Sequence, residues 1–177
     1  MTPTELEAQL RWLHRESFGW ALHCCGREES EAEDVLQTAY LKVLSGAAKY
    51  EGRSVFKTWL FGVIRRTAQE LRRRARTRER RADRFAREEE RPHAGDDPER
   101  ELIRAETSER LIEAMRRLPE RQREVLHLVF YQDLTIAEAG EVMEVSLGSA
   151  RTHYERGKAR LRALLQEERC ERPAAGR

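Results

Sequence analysis

A charged stretch without regular apolar spacing divides this chain. Residues 77–107 carry blocks of Arg and Glu, with Pro92 and Pro98, and few apolar side chains. Such a segment buries too little apolar surface to fold alone, so we expect a linker that is flexible or partly helical. The 177 residues are therefore divided into two short parts. Each part is long enough for a small helical core but not for one large core.

The N-terminal part shows helical spacing of apolar residues in three segments. Residues 4–26 predict one helix or two short helices, with Gly26 as a stop signal. Residues 31–45 predict a second helix, with Ser30 as its N-cap and an acidic first turn. Its predicted buried stripe consists of Val35, Leu36, Ala39, Tyr40, Val43 and Leu44.

A long basic helix is predicted after Ser54, its candidate N-cap. Phe56 and Trp59 are more typical of core residues than of base contacts. Phe61 and Tyr50 are the better candidates to stack on single-stranded bases, since we expect Phe61 near the exposed side of the helix. We place the Arg-rich side, including Arg65, on that exposed side as well. The loop at residues 45–53 precedes this helix.

The C-terminal part predicts short helices that lead into a helix pair. One helix begins near Ser108 and stops at Leu118, and Pro119 begins the next. Thr135 with Glu138 has the spacing of a capping box, and Ser146 is a candidate N-cap for a second, basic helix. Because two caps at short spacing precede Arg, Ser, Thr and His donors, the pair resembles a helix-turn-helix reader of duplex DNA. The alternative is an ordinary Arg-rich solvated face.

Charge and cysteine content set the remaining limits. The net charge of +2 hides a segregation, since Arg is concentrated at residues 65–91 and 151–162. Local basic stripes of this kind are typical of nucleic-acid binding. Cys24, Cys25 and Cys170 lack metal-site or disulfide spacing, so we expect ordinary buried residues in a reducing compartment, with a redox role for the adjacent pair as the alternative. Neither a signal peptide nor a bilayer-spanning apolar run is found, and we therefore expect a cytoplasmic protein.

Taken in order, the motifs resemble those of bacterial extracytoplasmic-function (ECF) sigma factors. Glu33-Asp34-x-x-Gln37-x-x-Tyr40-Leu-Lys-Val is similar to the family's AEDxxQxxFLxV helix, and Tyr50-x-Gly-Arg-Ser-x-Phe-Lys-Thr-Trp-Leu60 to its FxGxSxFxTWL segment. Leu118-Pro-x-x-x-Arg123-Glu-Val-Leu is similar to the entry to its C-terminal domain. Glu144 lies where glycine is common in the family, which predicts a less sharp turn between the paired helices.

The resemblance implies an all-α protein with two small helical domains joined by a charged flexible linker. The implied bounds are a region 2-like domain at 1–78, the linker at 79–107, a region 4-like helix-turn-helix domain at 108–168 and a disordered tail at 169–177. The implied partners are core RNA polymerase, promoter DNA and an anti-sigma factor. The resemblance implies no cofactor, metal or catalytic residue.

The resemblance also assigns site residues. It implies a core polymerase-binding face of Asp34, Gln37, Thr38 and Leu41. It implies a −10 DNA-binding set of Lys49, Tyr50, Arg53, Lys57, Phe61, Arg65, Arg66 and Arg73. It implies a −35 DNA-binding set of Ser149, Arg151, Thr152, His153, Arg156 and Lys158.

Two other functions compete with promoter recognition as a polymerase subunit. A free-standing helix-turn-helix regulator would explain residues 108–165, but it would leave the acidic helix and the Trp59 helix without a role. An enzyme such as a nuclease would need paired carboxylates, a metal-ligand spacing or a phosphate-binding Gly loop, and we find none of these motifs in the sequence.

Overall fold

A computed structural model describes residues 2–82 and 110–170, and within them every regular element is an α-helix. The helices are grouped into an N-terminal unit and a C-terminal unit. The N-terminal unit comprises α1 (Pro3–Trp12), α2 (His14–Cys24), α3 (Glu29–Leu44) and α4 (Phe56–Ala82). The C-terminal unit comprises α5 (residues 110–116), α6 (Glu120–Phe130), α7 (Ile136–Met143) and α8 (Leu147–Cys170). The all-helical fold class predicted from the sequence is confirmed. In the part of the chain that the structure describes, no helix is long and apolar enough to cross a membrane.

Local hydrogen bonds explain where the paired helices of the C-terminal unit begin. The Thr135 side chain accepts from the Glu138 amide, and the Glu138 carboxylate accepts in return from the Thr135 amide at 2.8 Å. The Ser146 hydroxyl accepts from the Ser149 amide at 3.2 Å at the start of α8. Both predicted N-caps are therefore confirmed.

Two N-caps predicted in the N-terminal unit are wrong. α3 begins at Glu29, so Ser30 lies inside it, because Gly26 and Arg27 both have left-handed backbone angles (φ 66° and 76°) that reverse the chain earlier. α4 begins at Phe56 rather than directly after Ser54. The Ser54 carbonyl accepts a hydrogen bond from the Tyr50 hydroxyl at 2.5 Å, which holds this residue in the preceding loop.

The N-terminal unit is packed around Trp20. This residue of α2 is completely buried, and its indole N–H donates to the Phe61 carbonyl of α4 at 3.0 Å. Helix α3 closes the other side and contributes the buried Val35, Leu36 and Val43. One aromatic side chain thus connects α2 to α4, the helix that carries most of the predicted −10 residues.

Close helix contact in the C-terminal unit depends on Gly157. A Cβ atom there would lie 3.2 Å from both the Gln122 Cβ and the Leu126 Cδ1 of α6, and 3.3 Å from the Gln122 carbonyl oxygen. Glycine within a helix costs about 1 kcal/mol relative to alanine. At this position the missing side chain lets α8 approach α6, which accounts for a glycine inside the basic helix.

The two units pack directly against each other. Helix α7 lies on α4, and the buried apolar residues of both units form one continuous cluster. The sequence predicted two separate helical domains, and nothing in its periodicity indicated this contact. The helices also extend beyond the predicted bounds, to Ala82 and Cys170. Most of the predicted linker, residues 83–107, and the tail residues 171–177 lie outside the described residues.

Candidate nucleic-acid and protein interfaces

The predicted −35 residues lie at the start of α8, with their side chains on two flanks. Ser149, Arg151, Thr152 and Arg156 are exposed, while His153 and Lys158 are partly buried. At about 100° per residue, Arg156 lies within about 20° of Ser149, whereas Arg151 lies about 140° from Arg156. The buried Ala150 and Gly157 separate the flanks where α8 contacts the rest of its unit. The helix therefore presents donors to both sides of any groove that it enters.

Intramolecular contacts distinguish among these donors. The Lys158 ammonium lies 4.9 Å from the centre of the Tyr154 ring and 3.5 Å from the Glu155 carboxylate. The Thr152 hydroxyl donates to the Gly148 carbonyl at 2.9 Å. Among the described residues, neither Arg151 nor Arg156 has an ion-pair partner, so these two guanidinium groups are available to a ligand.

The turn between α7 and α8 is sharp despite its glutamate. Glu144 adopts left-handed backbone angles (φ 57°, ψ 44°), as a glycine would, and the Val145 amide donates to the Gly140 carbonyl at 2.9 Å. Left-handed angles cost a residue with a side chain roughly 1–2 kcal/mol. The expectation of a less sharp turn was therefore wrong, because the chain tolerates this strain at Glu144.

An aromatic cluster lies between the 45–53 loop and the start of α4. The Tyr50, Phe56 and Trp59 rings lie 5.2–5.4 Å from one another. Phe56 is buried, which confirms it as a core residue, whereas Tyr50 and Trp59 are only partly buried. The loop residues Lys49 and Arg53 are exposed beside them. Partly exposed rings next to cations are typical of single-strand binding surfaces, so Trp59 is a candidate that the sequence analysis assigned only to the core.

The predicted −10 residues of α4 do not share one face. Arg66 and Arg73 are exposed and lie about 20° apart around the helix. Phe61 and Arg65 are buried, so the expectation that they lie on the exposed side was wrong. Phe61 packs against Trp20, with 6.1 Å between ring centres, and Arg65 faces the C-terminal unit.

Lys57 also points away from the exposed face of α4. Its ammonium lies 2.5 Å from the Glu16 carboxylate of α2 and 5.6 Å from the centre of the Phe61 ring. Of the predicted residues on α4, only Arg66 and Arg73 form an exposed basic surface. Even Arg66 is engaged, because its guanidinium donates to the Glu144 carboxylate at 2.8 Å.

The predicted polymerase-binding residues share one face of α3. Asp34, Gln37 and Leu41 are exposed and Thr38 is partly buried, all within about 100° of the helix circumference. Leu41 is 61% exposed and Leu44, one turn further on, is 52% exposed. The prediction that Leu44 belongs to the buried stripe was wrong, because it lies in the last turn of α3, beyond the core. Two exposed leucines therefore lie on this face beside the Asp34 carboxylate.

The adjacent cysteines, Cys24 and Cys25, are kept as protonated thiols, which react slowly. Cys24 and Cys25 are free thiols, and burial raises the pKa of Cys24 well above its usual value and that of Cys25 to about 11. Little thiolate is present at neutral pH, which supports ordinary packing residues. Among the described residues, no cluster of three or more His, Cys, Asp or Glu side chains could hold a metal ion.

Comparison with known proteins places both units in one family. Residues 10–78 match sigma-70 region 2, and residues 108–161 match sigma-70 region 4. The RNA polymerase sigma factor CarQ of Myxococcus xanthus is 30% identical over 145 residues, which cover 80% of this chain and 78% of CarQ. The ECF RNA polymerase sigma factor SigX of Bacillus subtilis is 30% identical over 149 residues, which cover 80% of this chain and 76% of SigX.

The fold agrees with that assignment. The sigma factor RpoE from Bartonella quintana, solved in complex with the anti-sigma factor NepR, superposes with a TM-score of 0.70 at 20% identity and covers 92% of this chain. The superposition covers 97% of that RpoE chain, so both helical units are matched. The chain matches both sigma-70 regions in this order, and its relatives align over most of their length. It therefore belongs to the ECF group of RNA polymerase sigma factors.

Proposed function

We propose that this sigma factor binds core RNA polymerase through α3 and reads two promoter elements, one with each unit. The observation that carries the proposal is the separation of three surfaces on a sigma-factor fold: the exposed apolar face of α3, the aromatic and basic surface of the loop and α4, and the basic flanks of α8. The function is promoter-directed transcription initiation, and it requires no catalytic residue or cofactor. Because polymerase is its partner, we place its action in the cytoplasm.

The domain assignment follows from the same surfaces. We assign residues 1–78 to polymerase docking and to recognition and melting of the −10 element, and residues 108–168 to recognition of the −35 element. Within residues 1–78, Tyr50 and Trp59 supply rings for base stacking, and Lys49, Arg53, Arg66 and Arg73 supply cations for phosphates. In residues 108–168, the Ser149 and Arg156 flank of α8 faces the bases of the major groove, while Arg151 on the other flank contacts a phosphate.

Transcription in vitro tests this proposal directly. The protein is mixed with purified bacterial core polymerase and a library of genomic fragments, and the transcript starts are sequenced. We expect discrete starts with two shared upstream elements that are absent without the protein. If the protein adds no transcript starts but binds duplex DNA specifically without polymerase, it is a free-standing regulator instead.

The α3 face predicts a specific loss of polymerase affinity. We expect the double variant Leu41→Ala, Leu44→Ala to bind core polymerase about tenfold or more weakly, because both exposed leucines would be desolvated in the complex. Asp34→Ala is expected to lower affinity further. The matched control is Val55→Ala, which truncates another exposed apolar side chain outside this face. The affinity for core polymerase is measured with labelled protein. If the variant and the control bind with equal affinity, α3 is not part of the interface.

The two flanks of α8 predict different effects on promoter binding. Arg156 lies on the flank with Ser149. We expect Arg156→Ala to weaken the binding of the complex of polymerase and this protein to duplex promoter DNA by ~1–3 kcal/mol. The loss is expected to be larger for the cognate −35 sequence than for a scrambled one. Arg151→Ala is expected to weaken both sequences equally and to reduce the salt dependence, as a phosphate contact does.

Arg11→Ala, an exposed arginine on α1, is the control for net charge in these binding measurements. Each variant is titrated against fluorescent promoter DNA at several salt concentrations. If both arginine variants of α8 bind like this control, the recognition surface lies elsewhere.

An anti-sigma factor is the further partner that we propose. The support is the fold of the Bartonella quintana protein, which was solved with such a factor bound. Pull-down from the native cell with this protein as bait, followed by mass spectrometry, tests for a regulatory protein that blocks polymerase binding.

A further inference from the structure

A carboxylate lies at the centre of the outward face of α8. Ala150 and Gly157 are buried where α8 contacts the rest of its unit, and Glu155 lies about 140–160° from both around the helix. Arg151 and Arg156 lie only about 100–120° from the same two residues. Glu155 therefore projects outward between the two arginine flanks, and its side chain is 68% exposed.

Near the start of α8, the other residues at the centre of this face are small or already bonded. Gly148 has no side chain, Ala159 has only a methyl group, and the Thr152 hydroxyl donates its proton to the Gly148 carbonyl at 2.9 Å. The Lys158 ammonium lies 3.5 Å from Glu155 Oε2. An exposed pair of this kind contributes little, so it does not keep the carboxylate from a ligand.

The chemistry of a carboxylate restricts which base it can meet in the major groove. An ionised carboxylate accepts hydrogen bonds and cannot donate them. Cytosine N4 and adenine N6 are amino donors in this groove, whereas guanine presents O6 and N7, and thymine presents O4, all of them acceptors. A carboxylate is also repelled by the phosphates on both sides of the groove. Glu155 therefore weakens the binding of DNA except where it meets an amino group.

We propose that Glu155 is a specificity-determining residue of the duplex element that α8 reads. Its carboxylate accepts a hydrogen bond from cytosine N4 at one position of the element, takes adenine less well, and rejects guanine and thymine. The inference deepens the proposed function and rests on it for the entry of α8 into the major groove. It does not depend on the partner of α3.

Two substitutions at Glu155 predict different changes of base preference. Glu155→Gln is expected to change the preferred base at this position from cytosine to adenine, because a glutamine amide pairs with adenine N6 and N7 together. Glu155→Ala is expected to remove the preference, which we expect to be about tenfold or more in the wild type. The alanine variant is also expected to bind duplexes with guanine or thymine there about threefold or more tightly than the wild type does.

The gain of affinity distinguishes this role from a purely structural one. Loss of a packing residue or of a phosphate contact would weaken binding to every sequence. Removal of a rejecting carboxylate strengthens binding to the sequences that it rejected. Because Glu155 is exposed, neither substitution opens a cavity, and far-UV circular dichroism establishes that the helix content is unchanged.

Selection from duplexes with a randomised segment tests the proposal. The full-length protein is used with and without core polymerase, and the bound duplexes are sequenced for the wild type and for both variants. Four duplexes that differ only at the affected base pair are then titrated by fluorescence. The matched control is Glu167→Gln, which makes the same change of charge at an exposed position further along α8. We expect this control to retain the base preference of the wild type.

The outcomes separate this inference from the proposed function. A selected element with the same base preference in the wild type and in both Glu155 variants would overturn the inference and leave the sigma role intact. Enrichment only without polymerase, with the expected change of base in the glutamine variant, would support the inference and contradict the sigma role. If no element is enriched with or without polymerase, α8 does not read duplex DNA and both are wrong.

Discussion

Replacing Trp20 with alanine is expected to reduce the free energy of unfolding by about 3–5 kcal/mol, which is the usual range for deleting a fully buried aromatic side chain. Trp20 has no exposed surface, contacts Phe61, His23 and His127, and donates its indole N–H to the Phe61 carbonyl. Its loss leaves a cavity where α2, α4 and α6 meet. Urea unfolding followed by circular dichroism measures the effect.

Trp12 provides the matched control for this change. It is 77% exposed at the end of α1, so Trp12→Ala is expected to change stability by no more than about 0.5 kcal/mol. A third variant, Trp20→Phe, keeps an aromatic ring and removes the hydrogen bond, and we expect an intermediate loss. Equal stability of the Trp20→Ala and Trp12→Ala variants would show that Trp20 is not the centre of the packing.

Helix starts show which local features the sequence determines. The Thr135 and Ser146 caps were predicted correctly because each depends on hydrogen bonds to a residue only three positions away. Ser30 is a serine like Ser146, but it lies inside α3 and is not an N-cap. The left-handed angles at Arg27 place the turn earlier in the chain, and positive φ at a non-glycine residue is not apparent from composition.

Burial of the α4 residues shows where sequence periodicity fails. Periodicity identifies the stripe that a helix buries, but α4 is covered by its own unit and by the C-terminal unit, so the buried arc is wider than one stripe. Arg65 bonds a partner 59 positions away and Arg66 a partner 78 positions away. A charged residue at such a contact looks like a solvated residue in the sequence, because its partner cannot be inferred from spacing.

The exposure of candidate site residues was predicted correctly where it follows from local position. The start of α8 and the Asp34 face of α3 are exposed as expected, since each lies opposite a strong apolar stripe. Leu44 and Trp59 were assigned to the core because apolar residues are usually buried. Their partial exposure depends on where the helices around them end, which is a property of the packed structure.

Acid is expected to lower the free energy of unfolding through the histidine pair, His23 and His127, which lies between the units. Burial, followed by the charge of Arg27, lowers the pKa of His127 to about 4, from 6.5. Burial, followed by the charges of His127, Arg123 and Arg27, lowers the pKa of His23 well below 6.5. The neutral Gln132 amide lies beside this pair, with its nitrogen 3.3 Å from His127 Nε2. Both rings are therefore neutral in the packed structure.

The direction of the pH effect follows from proton uptake by the unfolded chain. Below about pH 6.5 the unfolded chain protonates its histidines while the folded protein does not, so stability is complete above pH 6.5 and is lost as pH falls toward 4. At about 1.4 kcal/mol per pH unit, His127 alone accounts for a loss of about 2 kcal/mol by pH 5. His23 adds to the loss in the same direction.

Urea unfolding at pH 7 and pH 5 tests this expectation. His127→Phe keeps a ring in the stack but removes one titrating group, so we expect its stability to fall less between the two pH values than that of the wild type. His153→Gln, which removes a histidine of α8 outside this cluster, is the control and is expected to retain the full difference. If the wild type and His127→Phe lose the same stability, the buried pair does not cause the acid sensitivity. A smaller loss in the variant is the expected result, because His127 then no longer takes up a proton on unfolding.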